Sequence, residues 1–274
     1  QKPRPLGQQM APLPSLRTDN PESFRCVSVD LFGPIIAKHE CDNSHKGAEQ
    51  PCPHTTHFKV WVALFTCFHS RAVHLELMWN STTLDFLHAL RAFIARRGTP
   101  NKMFSDNATN VKAADKEIRQ LYKSLNWKEI ADEGVEKGFD WFFNVELAPW
   151  GNAISERMVR SVKRPLKIAL GNAQLTARHL QVILIEIEGL INSRPLAPVS
   201  EDNEEPITPA QLITGRKMNA LPDPNIRHNA TMFHQMWRKR QHTLNQFWHS
   251  WKNEYLLQQN LRRKWQTPQE TDLM

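Results

Sequence analysis

From Phe24 the chain takes on a strand-like alternation. Val27, Val29 and Leu31 fall on one face of an extended segment and Cys26, Ser28 and Asp30 on the other, until Gly33-Pro34 ends the run. Phe58 to Phe68 is almost continuously apolar, the pattern of a strand buried on both faces. Ala72 to Met78 alternates and reads as its neighbour. Ser81-Thr82-Thr83 then supplies an N-cap. Leu84, Leu87, Leu90 and Ile94 follow at helical spacing, and Arg96-Arg97-Gly98 closes the helix with basic residues and a C′ glycine. A short apolar run ends on Asp106, with Asn107 and Asn110 opening a turn behind it. Ile118, Leu121 and Leu125 mark a second helix over 113–125. A charged stretch, Lys128 to Lys137, leads to a short aromatic strand at Gly138 to Asn144. A connection from Val145 to Asn152 precedes a basic helix opened by Glu156. Leu180 to Ile191 is apolar nearly all round, which predicts a core helix, and Asn192-Ser-Arg-Pro-Leu196 stops it. The order is three strands, helix, strand, helix, strand, helix. An antiparallel meander feeding strand–helix alternation predicts an α/β fold with a mixed five-stranded sheet flanked by helices.

The flanks differ in character. Residues 1–23 carry five prolines and read as an extended linker, ahead of a core over 24–200. Residues 201–231 form an acidic, proline-bearing connection. In the tail, 232–274, Phe233, Trp237, Phe247, Trp248, Trp251, Tyr255 and Trp265 interleave with Arg and Lys, predicting basic amphipathic helices with no sheet of their own. The Trp248 and Trp251 pair reads as an apolar helix face rather than a base-stacking platform.

Composition narrows the function classes only moderately. In 274 residues, 35 Lys and Arg against 28 Asp and Glu give +7, an excess that permits a polyanionic partner without demanding one. Four cysteines are too few for a disulfide scaffold. No apolar run reaches membrane-spanning length. His39, Cys41, His45, Cys52, His54 and His57 crowd one polar segment, but their gaps lack the paired spacing of a zinc site, so the segment reads as a long hairpin loop.

Most acidic residues are solvated surface charges, and position singles out three. Asp30 and Asp106 lie within or at the tip of apolar runs, where an unpaired carboxylate is costly to bury. Glu156 adds a third from a helix. An all-carboxylate set suits Mg²⁺ or Mn²⁺, and a pair of such ions about 3.5–4 Å apart would serve an in-line phosphoryl transfer. In that scheme Asp30 bridges both ions, and Asp106 and Glu156 hold one each. Arg157, Arg160, Lys163, Arg164 and Lys167 share the Glu156 helix, and Arg160, Lys163, Arg164 and Lys167 lie largely on the acid's own face, a candidate phosphate grip. His74 reads as a structural histidine beside the site, Asn107 and Asn110 as turn residues, and Glu146 as the weaker rival for third acid because it lacks the Glu-Arg context.

These residues sit in longer stretches that resemble the integrase of BEL/Pao-type LTR retrotransposons, within the retroviral integrase superfamily. The stretches are Val29-Asp-Leu-Phe-Gly-Pro34, Phe65-Thr-Cys-Phe-His-Ser-Arg-Ala-Val-His-Leu-Glu76, Phe93-Ile-Ala-Arg-Arg-Gly98, Phe104-Ser-Asp-Asn-Ala-Thr-Asn110, Glu156-Arg-Met-Val-Arg-Ser-Val-Lys163, Ile191-Asn-Ser-Arg-Pro-Leu196 and Phe247-Trp-His-Ser-Trp-Lys-Asn-Glu-Tyr-Leu256. They run in family order over most of residues 5–265. The resemblance implies a ribonuclease-H-like catalytic core with Asp30, Asp106 and Glu156 as metal-binding catalytic residues. It further implies double-stranded DNA (the element's ends and a target) as substrate, a homo-multimer as the working form, and a nuclear location reached from a cytoplasmic complex. It also implies a zinc-binding module upstream and a small barrel downstream of the sequence given. The alternative is an integrase-derived, domesticated DNA-binding protein without catalysis. Ala108 stands where the family has a turn glycine, and Pro165 where the basic helix usually continues with alanine.

Overall fold

The computed structural model describes residues 22–38, 57–105, 116–143, 149–170, 175–196, 207–216, 242–249 and 251, with the backbone alone for 116–119 and 149–157. Three strands begin the fold: β1 (Cys26–Lys38), β2 (His57–Cys67) and β3 (Val73–Met78). α1 (Thr83–Arg97), β4 (Lys102–Ser105), α2 (Lys116–Ser124), α3 (Trp127–Glu136), β5 (Asp140–Phe143) and α4 (Pro149–Leu170) follow. A two-residue β6 (Leu175–Thr176), α5 (Ala177–Asn192), α6 (Pro209–Thr214) and α7 (242–249) complete the described elements.

The sheet runs β3-β2-β1-β4-β5, with β6 also on β1. β1, β2 and β3 are antiparallel neighbours, whereas β4 is parallel to β1 and β5 parallel to β4. That mixed order, with helices on both faces, is the ribonuclease-H-like arrangement that the sequence predicts, with one strand more than the expected five. Beneath one face, Phe65, Val29 and Leu31 pack against Phe86, Leu90 and Phe93 of α1, Leu121 of α2 and Ile130 of α3. Above the other, Val62, Leu64 and Leu75 meet Val159, Val162 and Leu166 of α4 and Ile183, Leu184 and Ile187 of α5. Leu244, Phe247 and Trp251 from the tail join that second cluster, and Trp248 stacks on Trp251 at 5.5 Å. The aromatic pair is therefore an apolar helix face, as expected.

Four expectations are corrected. β1 does not end at Gly33-Pro34: it passes through a register shift between Phe32 and Ile35 and continues to Lys38. A bulge is where a strand tolerates a proline, which has no N–H for the ladder, and Gly33 takes a φ of 143° there. The charged stretch after Lys128 is a helix, α3, capped by Asn126, whose side chain accepts from Glu129 N. α4 begins at Pro149, so Glu156 lies about two turns inside it rather than at its start. Proline suits a first helical position, because its missing N–H would have had no partner there. β3 does not alternate in exposure, since all six of its residues are buried, His74 and Glu76 among them.

Several expectations hold in detail. Thr82 caps α1 by accepting from Asp85 N at 3.2 Å, and Gly98 closes it with φ 86°. α5 is the expected core helix. The zinc-disfavoured segment lies outside the described residues except for His57, the exposed first residue of β2.

Candidate functional site

Because the residue side alternates along a strand, Val27, Val29 and Leu31 face the α1 side and Ser28, Asp30 and Phe32 face α4. Asp30 is half-buried there. It lines a cleft of about 530 Å³ whose other walls are Val159, Arg160, Lys163, Arg164, Lys167 and Ile168 of α4. The Lys163 ammonium sits 5.5 Å from the centre of the Phe32 ring, a cation–π contact that holds the side chain beside Asp30. Four cations around one carboxylate make a strongly positive concavity, suited to a polyanion's backbone.

Asp30 is also held from the α2 side of the sheet. The parallel pairing of β1 with β4 is described from Cys26↔Lys102 to Val29↔Ser105, the last described residue before Asp106. The Leu31 N–H donates to the Tyr122 hydroxyl at 3.2 Å, and that hydroxyl donates to Asp30 Oδ1 at 3.1 Å. Sequence reasoning missed Tyr122. The available signal was a phenol on the apolar side of α2, between Leu121 and Leu125, because a buried tyrosine hydroxyl usually finds a polar partner.

The other predicted residues divide as follows. Asp106 follows Ser105 directly and lies outside the described residues, as do Asn107, Ala108, Asn110 and Glu146. Glu156 and Arg157 lie on the described backbone of α4, but their side chains are outside the described set. Arg160, Lys163, Arg164 and Lys167 are brought together with Asp30. Among the described residues no group of three His, Cys, Asp or Glu side chains is clustered as a metal site. No helix among them is long and apolar enough to cross a membrane.

No protein-family model and no curated protein matches the chain. Among solved structures it is similar to a chain of the simian T-cell lymphotropic virus intasome, determined in complex with PP2A regulatory subunit B56 gamma. The identity is 15%, over 77% of this chain and 61% of that one, with a TM-score of 0.40. It is similar also to the HTLV-2 integrase catalytic core domain in complex with magnesium, in trimeric and dimeric forms. There the identity is 12%, over 70% of this chain and 97% of that one, with a TM-score of 0.39. Likeness at this level assigns no activity.

His74 is not beside the acid site. It pairs in register with Phe65, which faces α1, so it lies on the opposite side of the sheet from Asp30. There it forms the centre of a buried charge network. Its Nε2 is 2.8 Å from Glu76 Oε1 and its Nδ1 is 3.1 Å from Glu188 Oε2. Arg96 pairs with Glu76 at 2.8 Å, and Arg97 pairs with Glu188. Arg97 Nε also stands 3.3 Å from Nδ1. With the ring charged both nitrogens donate, so Glu188 is the partner that counts.

Burial alone would depress the His74 pKa, but hydrogen bonds to Glu188 and Glu76 outweigh it and the value rises above 6.5. Glu188 is pushed up by burial and more than restored by His74, so its value falls below 4.5. The signs set a pH window. His74 contributes stability that is complete below 6.5 and lost as pH climbs through its raised folded value. Glu188 contributes stability that is complete above 4.5 and lost as pH falls through its lowered one. Unfolding by denaturant should therefore show the network's contribution greatest between those two values. On raising the pH above 6.5, the wild-type protein should lose stability relative to His74→Gln. Parallel pH curves for the two proteins would contradict this.

α5 uses the same residues to close the sheet edge. Glu188 Oε2 accepts from Leu75 N at 2.9 Å, and the Asn192 amide accepts from Val73 N and donates to Val73 O, each at 2.8 Å. The outer edge of β3, a template for unwanted pairing, is thereby occupied at Val73 and Leu75. Arg194 donates to Arg71 O at 2.5 Å and fastens the β2–β3 turn, where Arg71 holds a φ of 54°.

Proposed function

We propose that the protein is an integrase of the BEL/Pao retrotransposon type, a polynucleotidyl transferase that processes the 3′ ends of double-stranded DNA and joins them to a target duplex. Asp30, Asp106 and Glu156 are the residues that would hold Mg²⁺ or Mn²⁺. The observation that carries this reading is the parallel register of β1 and β4. Val29 and Ser105 pair, and each is followed immediately by one of the two aspartates. Adjacent strands lie about 4.8 Å apart, close enough for two carboxylates to share an ion. Val159 and Lys163, three and seven residues after Glu156, line the Asp30 cleft, and by helical spacing position 156 belongs to that row.

The donor set fits the metal, since carboxylate oxygens are the hard ligands that Mg²⁺ and Mn²⁺ prefer. When bound, the ions would activate the attacking oxygen and stabilise the leaving one. The chain's own contribution is positioning. Arg160, Lys163, Arg164 and Lys167 would grip phosphates alongside the scissile bond, Arg157 would add to that grip, and the acids would hold the ions beside them. A homo-multimer acting in the nucleus completes the proposal.

A second reading keeps the basic cleft and drops the chemistry: an integrase-derived DNA-binding protein. Pro165 inside α4 favours it, because a proline there removes a helical hydrogen bond and costs about 3 kcal/mol or kinks the helix. Incubation of the protein with short labelled duplex ends and Mn²⁺ separates the two. The first reading predicts joined product that Asp106→Asn abolishes. Duplex binding without product from either protein would favour the second, and cleavage without joining would indicate a plain nuclease.

A further inference from the structure

We propose that Tyr122 is a positioning residue for Asp30, its hydroxyl fixing the carboxylate in the orientation that receives a divalent cation. The inference rests on the metal-binding reading above and adds to it a residue from outside the acidic triad.

The Phe68 N–H donates to Cys26 O, which makes Cys26 and Phe68 a hydrogen-bonded pair across β1 and β2. In an antiparallel ladder such pairs alternate, so the backbone groups of Val27, Val29 and Leu31 point the other way, toward β4. Val29 lies alongside Ser105 of β4. Two residues on, the Leu31 N–H goes to the Tyr122 hydroxyl. A phenol has one proton to give and lone pairs to accept with. Having accepted from Leu31, it gives its proton to Asp30 Oδ1. One hydroxyl thus joins the β1 backbone at Leu31 to the carboxylate of the residue before it.

The hydroxyl is held in place by its ring. Tyr122 is 2% exposed, its ring lies 5.6 Å from that of Trp127 at an interplanar angle of 25°, and Trp127 Nε1 donates to Tyr122 O at 2.9 Å. A buried, stacked ring cannot carry its hydroxyl elsewhere, so the donor is fixed before any ion arrives. Partners of this kind act on a ligand's orientation, and losing one typically weakens metal affinity about 10- to 100-fold.

The test is a calorimetric titration of the whole chain with Mn²⁺ alone, for wild type, Tyr122→Phe, Trp127→Phe and Asp30→Asn, with thermal unfolding of each. Tyr122→Phe should bind Mn²⁺ about tenfold more weakly. Trp127→Phe, which keeps the hydroxyl and loosens the same packing, should melt earlier but bind Mn²⁺ as wild type does. Wild-type affinity in Tyr122→Phe would overturn the proposal while leaving the metal site intact. Equal weakening in Trp127→Phe would overturn it too, because packing rather than the hydroxyl would then set the affinity. If Asp30→Asn also bound like wild type, the metal-binding reading itself would fall, and Tyr122 would have nothing to position.

Discussion

Replacing Glu188 with alanine is expected to lower the unfolding free energy by about 3–5 kcal/mol, the loss typical when one partner of a buried ion pair is removed. Three groups lose an acceptor at once. His74 keeps only Glu76, the part-buried Arg97 loses its carboxylate, and the Leu75 N–H on the sheet edge loses its side-chain acceptor. An orphaned buried donor costs about 1–3 kcal/mol by itself. Glu188→Gln keeps an acceptor for Leu75 and surrenders only the charge, so it should fall between alanine and wild type. Denaturant unfolding at a pH between 4.5 and 6.5 measures both, since the contributions of His74 and Glu188 overlap there. A loss below about 1 kcal/mol for Glu188→Ala would mean that the pair is no better than a surface one.

The second large effect falls on chemistry rather than stability. Asp30→Asn should reduce DNA joining about a thousandfold, since removing several kcal/mol of ion-mediated charge stabilisation costs a decade of rate for about every 1.4 kcal/mol. The fold should survive the change. An asparagine side chain has the same shape as the aspartate, retains an oxygen to accept from the Tyr122 hydroxyl, and stays in a cleft open to solvent. Duplex binding without metal should be kept or slightly strengthened, because the change removes a negative charge from among four cations. Joining by Asp30→Asn within about tenfold of wild type would remove Asp30 from the reaction.

The framework of the fold was legible because its strands are nearly pure apolar runs and its best helix carries caps at both ends. Thr82, the leucine row and Gly98 state α1 almost unaided. The misread elements are those where the local signal is weak or opposed. Ile130 and Gly134 are the buried positions of α3, and two small contacts amid Lys, Glu and Asp leave no clear period. β6 is two residues long and exists only through its pairing with Ala37 and Lys38. Gly33-Pro34 reads as a stop, and only the partner strand shows the bulge that lets β1 continue.

The same distinction runs through the site. Asp30 was legible as an acid at odds with its apolar run, and the basic row of α4 by its spacing. The role of His74 and Glu76 was not, because alternation assigns polar strand residues to solvent. It takes Arg96 and Arg97 from α1 and Glu188 from α5 to make their burial tolerable. Those partners come from other elements of the chain, beyond the reach of any local pattern. Tyr122 was hidden for the same reason: its partners, Asp30 and Leu31, stand 92 and 91 residues earlier in the chain.

In crystals of the protein soaked in Mn²⁺, the ion's anomalous scattering would show which carboxylates hold it. Density is expected in the cleft beside Arg160 and Lys163, within about 2.2 Å of carboxylate oxygens from Asp30, Asp106 and Glu156 together. Ions bound elsewhere, or an Asp30 carboxylate with neither of the other two acids within reach of the same ion, would contradict the metal-binding reading.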